Sequence, residues 1–330
     1  VSGGAPARPS RWIVRLKNIL GDRAGAVDAT ARLEAWTRAL DRAATATPAK
    51  APAPRPPFEA RPRSLPVTRF EQLMRDPYAV YARDILKLRP LDKLAEPLGP
   101  ALLGALLHKV FEEYLGGEPA RARLGEILDR LAPTFGVDAA ARAFWRARLD
   151  AALDWYFAFD AQRRALGAPA IVEGAGASAF DVGAAPFALT ARADRIDLLA
   201  EGGAALFDYK TGALPTLSQI KAEFSPQLPL TALIIEAGGF SALGARRLSS
   251  FHYVKALNQT GDSKDFSGAE GSRARTLIEE ARQGFAALVA HYDNPETPYL
   301  SQPRPEFMNR FGDYDHLARR REWAAAEDGE

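Results

Sequence analysis

The chain contains no cysteine among its 330 residues and only two methionines. Without thiols it forms no disulfide and offers no thiolate to a zinc finger or an iron–sulfur cluster, a composition that suits a cytoplasmic compartment. An excess of charge of one sign is also missing. Lys and Arg number 43 against 41 Asp and Glu, a formal net charge of +2. A nucleic-acid-binding face must therefore be local, with Arg192, Arg195, Lys210 and Lys221 as candidates. No run approaches the ~20 apolar residues of a membrane helix. No secretory signal is visible at the start, and the first residue is Val1, which points to a piece of a longer protein.

What is present is enough for a sizeable core, since 47% of residues are hydrophobic. A basic segment, Arg11 to Leu20, precedes a helix near Val27 to Ala44. Residues 47–66 are rich in Pro and Ala, the composition of an extended, semi-rigid linker. Helical spacing follows over Arg69 to Leu86, Gly99 to Leu115, Pro119 to Ala132 and Ala139 to Ala165. Strands are expected at Ile171 to Glu173, 186–200, 204–210 and Arg247 to Lys255, and a last helix at Ser272 to Tyr292. There are no internal repeats.

The most informative stretch is Ala191-Arg192-Ala193-Asp194-Arg195-Ile196-Asp197, followed by Phe207-Asp208-Tyr209-Lys210-Thr211-Gly212. Alternation predicts two strands, and Gly202-Gly203 supplies the positive φ of a tight turn. Asp208 and Lys210 share a face with Leu206, while Phe207 and Tyr209 point the other way. A two-residue loop at Gly202-Gly203 would set Asp197 opposite Asp208; twist, a bulge or a shifted register would bring Asp194 there instead. An Asp followed by Asp-x-Lys suits phosphodiester hydrolysis. Carboxylates hold Mg²⁺ or Mn²⁺, the bound cation acidifies water and neutralises developing charge, and the lysine adds a point charge. The same residues also suit a solvated hairpin edge.

Two further segments join it. In Leu102 to Leu115, apolar residues at 103, 106, 107, 110, 111 and 114 mark a buried helix face, and Ala101, Gly104, Ala105, His108 and Glu112 form a narrow opposite stripe. Ser225 and Pro226 open a helix whose entrance carries Gln227. Either segment alone also reads as ordinary packing or capping.

In this order, the Leu107-His108 helix, Asp194, Asp208-Tyr209-Lys210 and Gln227 resemble RecB-like nucleases of the PD-(D/E)XK superfamily, most nearly the C-terminal nuclease part of AddB-type subunits of bacterial helicase-nucleases. The resemblance covers roughly residue 60 to the end. It implies an α/β fold, a restriction-endonuclease-like central mixed sheet flanked by helices. Residues 1–66 become a helical segment and linker, and 67–330 the nuclease domain. It further implies Asp194, Asp208, the Tyr209 carbonyl and His108 as ligands of Mg²⁺ (or Mn²⁺), Lys210 as the catalytic lysine, and Gln227 as organiser of the site. Asp197 and Arg195 are structural or phosphate-facing. The implied activity is exonucleolytic cleavage of DNA, single-stranded and fed by an AddA-type helicase-nuclease subunit, during double-strand break repair.

The sequence departs from that pattern at three places. Thr231 stands where a tyrosine often follows the glutamine. Gly104 and Glu112 or Glu113 only approximate the usual residues around the histidine. Asp76 precedes Pro77 where many relatives have a cluster-binding cysteine, so no iron–sulfur cluster is expected. The tail aromatics Tyr299, Phe307, Phe311, Tyr314 and Trp323 either stack on bases or pin the tail to the domain. Other readings are a catalytically silent DNA-binding module and a scaffold for a helicase complex.

Overall fold

Alternating apolar residues from Phe187 onward produce the strand around which the whole sheet is assembled. The computed structural model describes residues 8–42, 49–91, 100–137, 139–210, 213–221, 226–255, 261–268, 271–304 and 312–327. It separates into two units, Val1–Ala49 and Lys50–Glu330. The first holds α1 (Arg11–Leu20), α2 (Ala24–Val27) and α3 (Thr30–Asp41). Ser10 caps α1 by accepting the amide of Ile13, as short oxygen-bearing side chains do at helix starts.

In the second unit, β1 (Ser64–Pro66), β2 (Gly167–Phe180), β3 (Phe187–Leu199), β4 (Ala204–Tyr209), β5 (Leu248–Lys255) and β6 (Asp262–Asp265) form one six-stranded mixed sheet. β2 runs antiparallel along the length of β3. The other edge of β3 takes β1, parallel, at Ala188 to Thr190 and β4, antiparallel, at Arg195 to Leu198. β5 adds parallel to β4 and β6 antiparallel to β5. The helices are α4 (Val67–Arg75), α5 (Pro77–Val80), α6 (Pro100–Leu115), α7 (Arg121–Leu131), α8 (Ala139–Arg164), α9 (Leu217–Lys221), α10 (Gln227–Glu236), α11 (Ser272–Asp293) and α12 (Arg320–Glu327). This is the α/β architecture expected from the sequence.

Period two on β4 divides the interior into two cores. Ala204 and Leu206 pack with α4, α10 and α11; Ala205 and Phe207 pack with α6, α7 and α8. Each fully buried Leu or Phe contributes about 1.5–3 kcal/mol relative to exposure. α10 is apolar on nearly every side, Leu228 through Ile235 being buried, because the sheet covers one side and α4 and α11 another. α6 buries the predicted face of Leu103, Leu106, Leu107, Val110, Phe111 and Tyr114. Its last carbonyls, on Glu113 and Tyr114, accept from the Arg123 guanidinium at 2.6 Å each, an arginine cap on orphaned acceptors.

Several expectations change. The Pro-rich segment is extended but is not a free linker: from Lys50 it belongs to the second unit. Buried Arg61 donates to the carbonyls of Pro56, Tyr292, Asn294, Pro295 and Thr297, and Tyr299 donates its amide to Pro54. The helix expected over Arg69 to Leu86 breaks at Asp76, whose backbone (φ −145°, ψ 79°) leaves the helical region, which the ring of the following proline disfavours. β2 is far longer than Ile171 to Glu173, and β1 and β6 come in addition. The β3–β4 connection is longer than two residues. Leu198 pairs with Ala204, and Asp197 pairs with Ala205, not Asp208. Tail residues Tyr299 and Tyr314 are buried, and the Tyr314 hydroxyl donates to the Leu88 carbonyl at 2.9 Å, so these two pin the tail instead of offering stacking platforms. Phe307 and Phe311 lie outside the described residues, as do Thr211, Gly212 and Ser225.

Candidate active site

Continuing the register from Arg195↔Phe207 sets Asp194 across from Asp208. The longer connection, with Gly202 at φ 86°, supplies the shift that a two-residue turn could not. Asp194 Oδ2 accepts the Tyr209 amide at 2.7 Å and lies 3.1 Å from Nε2 of His108. His108 reaches it from α6 because the buried stripe of that helix fixes its rotation. Asp208, 5% exposed, takes Gln227 Nε2 on Oδ1 at 2.6 Å. Lys210 Nζ donates to Gln227 Oε1 at 2.9 Å and lies 2.8 Å from Asp208 Oδ2. Its ammonium is also 5.6 Å from the centroid of the Tyr253 ring, a cation–π distance. Gln227 is the first residue of α10, with Pro226 in the cap position just before it.

The structure thus brings His108, Asp194, Asp208, Lys210 and Gln227 together. Tyr209 contributes its backbone to this group, while its ring lies in the opposite core with its hydroxyl 2.8 Å from that of Tyr156. Thr231 is buried and donates its hydroxyl to the Gln227 carbonyl at 2.7 Å. Glu112 pairs with Lys109 at 2.7 Å and makes no described contact with the group. Arg195 is fully buried and holds Asp197 and Asp160, which makes it structural and removes it from any DNA-facing surface. Arg192 is exposed; the Lys221 side chain lies outside the described residues.

Two residues, Glu173 and Glu71, were not anticipated. Glu173 on β2 places Oε1 2.9 Å from His108 Nδ1, and its Oε2 accepts Arg192 Nε at 2.6 Å. The pairs Val172↔Arg195 and Gly174↔Ala193 set it directly across from Asp194. Its φ is +50°, a left-handed conformation that costs a non-glycine residue about 1–3 kcal/mol and collects at functional sites. Like charges facing each other across strands are unfavourable as well. Only the pairing of 167–180 with 187–199 puts position 173 opposite 194, and the Gly- and Ala-rich sequence of β2 does not announce that pairing. Glu71 lies on α4. Burial pushes its carboxyl up, partly offset by Arg75 and by Lys210.

Electrostatics mark the same place. Burial, then the charge of Asp194, pushes the Asp208 carboxyl up to about 6 against the pull of Lys210 and His108. For His108, burial pulls downward, but the hydrogen bond and charge of Asp194, followed by Glu173 and Asp208, win and raise it. These carboxylates lack sufficient positive charge. The Lys210 contact to Asp208 Oδ2 has the length of an ion pair but not the angles of a hydrogen bond, and this buried oxygen has no hydrogen-bond donor. A cation would satisfy it. Ligand atoms of His108, Glu173 and Asp194 lie within 4.8 Å of one another, and an oxygen-dominated set with one imidazole suits a hard or borderline divalent ion.

The sequence profile of the PD-(D/E)XK nuclease superfamily matches residues 64–304, the span from β1 through the sheet and past α11. An uncharacterized protein of Rickettsia bellii is 31% identical over 278 residues, covering 78% of this chain and 32% of its own length. Relatives in Rickettsia conorii and Rickettsia typhi, also uncharacterized, are 29% identical over 195 and 206 residues. The chain therefore spans about a third or less of these relatives, from 23% to 32% of their length. Among solved structures, the crystal structure of SSO0001 aligns with 56% of this chain and 85% of its own, at 15% identity and a TM-score of 0.24.

Proposed function

The chain belongs to the PD-(D/E)XK nuclease superfamily, and on that footing we propose that it hydrolyses DNA phosphodiester bonds with a divalent cation, Mg²⁺ or Mn²⁺, held by His108, Asp194, Asp208 and the Tyr209 carbonyl. The observation that carries the reading is the convergence on a buried, incompletely satisfied Asp208 of side chains from β3, β4, α6 and α10.

When bound, the cation supplies an acidified water and a counter-charge for the phosphate. The remaining work falls to side chains. Lys210, part-exposed beside Asp208, presents a fixed positive charge to the non-bridging phosphate oxygens as negative charge grows on them. Gln227 grips both partners, Asp208 through its amide nitrogen and Lys210 through its amide oxygen, and so fixes the distance between acid and base. The Tyr209 amide and His108 hold Asp194 from two directions.

The cellular role follows the resemblance. The substrate is a single DNA strand, degraded exonucleolytically with 5′-strand polarity, supplied by an AddA-type helicase-nuclease subunit during double-strand break processing in the cytoplasm. The test is degradation of single-stranded DNA with Mg²⁺, with and without EDTA, comparing the protein with Lys210→Ala and Asp208→Ala. Activity should require the cation, vanish in Asp208→Ala while DNA binding persists, and fall about 10²–10³-fold in Lys210→Ala. Cleavage that survives EDTA, or that Lys210→Ala leaves intact, refutes the assignment.

A further inference from the structure

We propose that Glu173 is a positioning residue for the metal-binding histidine: its carboxylate keeps the proton on His108 Nδ1, so that Nε2 presents its lone pair to the cation. The inference rests on the reading of His108 as a ligand and adds a residue to it. Three observations carry it.

The first is the geometry of the imidazole. Its two nitrogens face two different acids, Nε2 toward Asp194 in a 3.1 Å hydrogen bond and Nδ1 toward Glu173 at 2.9 Å, an ion-pair distance without the angles of a hydrogen bond. An ionised carboxylate at that distance repels a bare ring nitrogen and attracts a protonated one. With Nε2 turned to a cation, the negative charge of Glu173 would keep the ring's remaining proton on Nδ1. Ligating histidines commonly have their other nitrogen oriented in this way by a carboxylate. The second is that Glu173 is itself fixed. Arg192 Nε takes its Oε2 at 2.6 Å, leaving Oε1 for the ring. The third is the backbone. Glu173 sits at φ +50° in an otherwise extended strand, directly across from Asp194. On β3 the alternation slips at the same level, since Ala193 and Ile196, three apart, both face the core under α10. An arrangement that opposes two acids on a strained backbone makes sense when an imidazolium, and later a metal-bound imidazole, lies between them.

Glu173 Oε1 meets the ring at Nδ1, so on this proposal the carboxylate acts through the histidine, although its ligand oxygen also lies within 4.8 Å of ligand atoms of His108 and Asp194. Experiment separates this role from that of a direct ligand. Mn²⁺ affinity, read by electron paramagnetic resonance of the free ion, should weaken about 10–100-fold in Glu173→Ala. Glu173→Gln should recover part of that loss, because the amide oxygen still turns negative partial charge toward Nδ1. The direct readout is the tautomer of His108, one of four histidines, assigned by long-range ¹H–¹⁵N spectra against His108→Gln. In the Mg²⁺-loaded protein the proton should be on Nδ1, and Glu173→Ala should lose that preference. If Glu173→Gln binds Mn²⁺ as poorly as Glu173→Ala, Glu173 is a direct ligand and the proposal is overturned. Unchanged affinity and tautomer in Glu173→Ala overturn it too. If the unaltered protein binds no Mn²⁺, the metal reading itself falls and takes this role with it, whereas normal binding by the unaltered protein with an indifferent Glu173→Ala removes only the role of Glu173.

Discussion

Two charged clusters grow from the same seven residues of β3, and they are built on opposite principles. Arg195, Asp197 and Asp160 are sealed, each 1% exposed or less, and the guanidinium takes both oxygens of Asp197 at 2.6 and 2.8 Å and one of Asp160 at 2.8 Å. Asp160 gains a second partner in Arg164 at 2.7 Å. Asp194, next to Arg195 in sequence, joins the other cluster, where His108, Glu173 and Lys210 remain 29%, 12% and 31% exposed and Asp208 keeps an unsatisfied buried oxygen. Buried charge that is fully paired serves the fold. Buried charge left short of a partner, at the edge of solvent, is held ready for something else.

The largest effect should come from breaking the sealed cluster. Arg195→Ala leaves Asp197 buried without its cation and Asp160 with Arg164 alone, and removal of one member of a buried ion pair costs about 3–5 kcal/mol. Urea denaturation should show that loss. A drop below about 1 kcal/mol would mean that water reaches the cluster. Lys210→Ala makes the opposite break. It should slow hydrolysis by about 10²–10³-fold, the usual cost of deleting one transition-state donor, with the unfolding midpoint essentially kept. If instead Lys210→Ala unfolds the protein, the two clusters do not differ in kind.

How far the sequence foretells this difference depends on the length scale of each signal. Local periodicity is enough to give β3, β4, the buried face of α6 and the position of Gln227 at the start of α10, because each pattern is complete within one element. Asp194, Asp208, Lys210, Gln227 and His108 are accordingly visible as candidates. Signals that belong to pairing are not visible. Ser64 to Pro66 is a strand only because it lies along Ala188 to Thr190. β2 is rich in Gly and Ala, poor strand formers that β3 holds in register over fourteen residues. Glu173 is unremarkable until that register faces it with Asp194. The same holds for Arg195, which looks like a DNA contact in a basic stretch and becomes structural once Asp160 arrives from α8. The hairpin register depends on the connection length, which two adjacent glycines suggest but do not fix.

A smaller effect sharpens the electrostatic half of the comparison. The Asp208 carboxyl, at about 6, lies above the ordinary 3.8. A raised acid favours the fold while it is protonated, below pH ~4, and that contribution is lost as pH rises through about 6, on the order of 3 kcal/mol. In metal-free buffer, Asp208→Asn should therefore match the unaltered protein near pH 4 and be the more stable of the two near pH 7. Mg²⁺ should reverse the order by stabilising only the form that binds it, by about 4.1 kcal/mol at a thousand times its dissociation constant. Melting curves across this pH range, with and without Mg²⁺, test both signs. A difference between the proteins that stays flat from pH 4 to 7 would show that burial does not perturb Asp208.

The smallest effect concerns Thr231, which stands where a tyrosine is frequent in RecB-like nucleases. Its hydroxyl is buried and turned back onto the Gln227 carbonyl of its own helix at 2.7 Å, so it supports the turn that carries Gln227 and presents nothing to the site. Valine keeps the shape and deletes that one bond. Thr231→Val should then cost about 1 kcal/mol in stability and change the rate by no more than a few-fold, because Gln227 keeps its grip on Asp208 and Lys210. Steady-state rates beside a urea titration separate the two. A loss approaching that of Lys210→Ala would mean that the first turn of α10 is too soft to hold Gln227 without this bond, and the pairing of Asp208 with Lys210 would then depend on helix packing as much as on the strand that bears them.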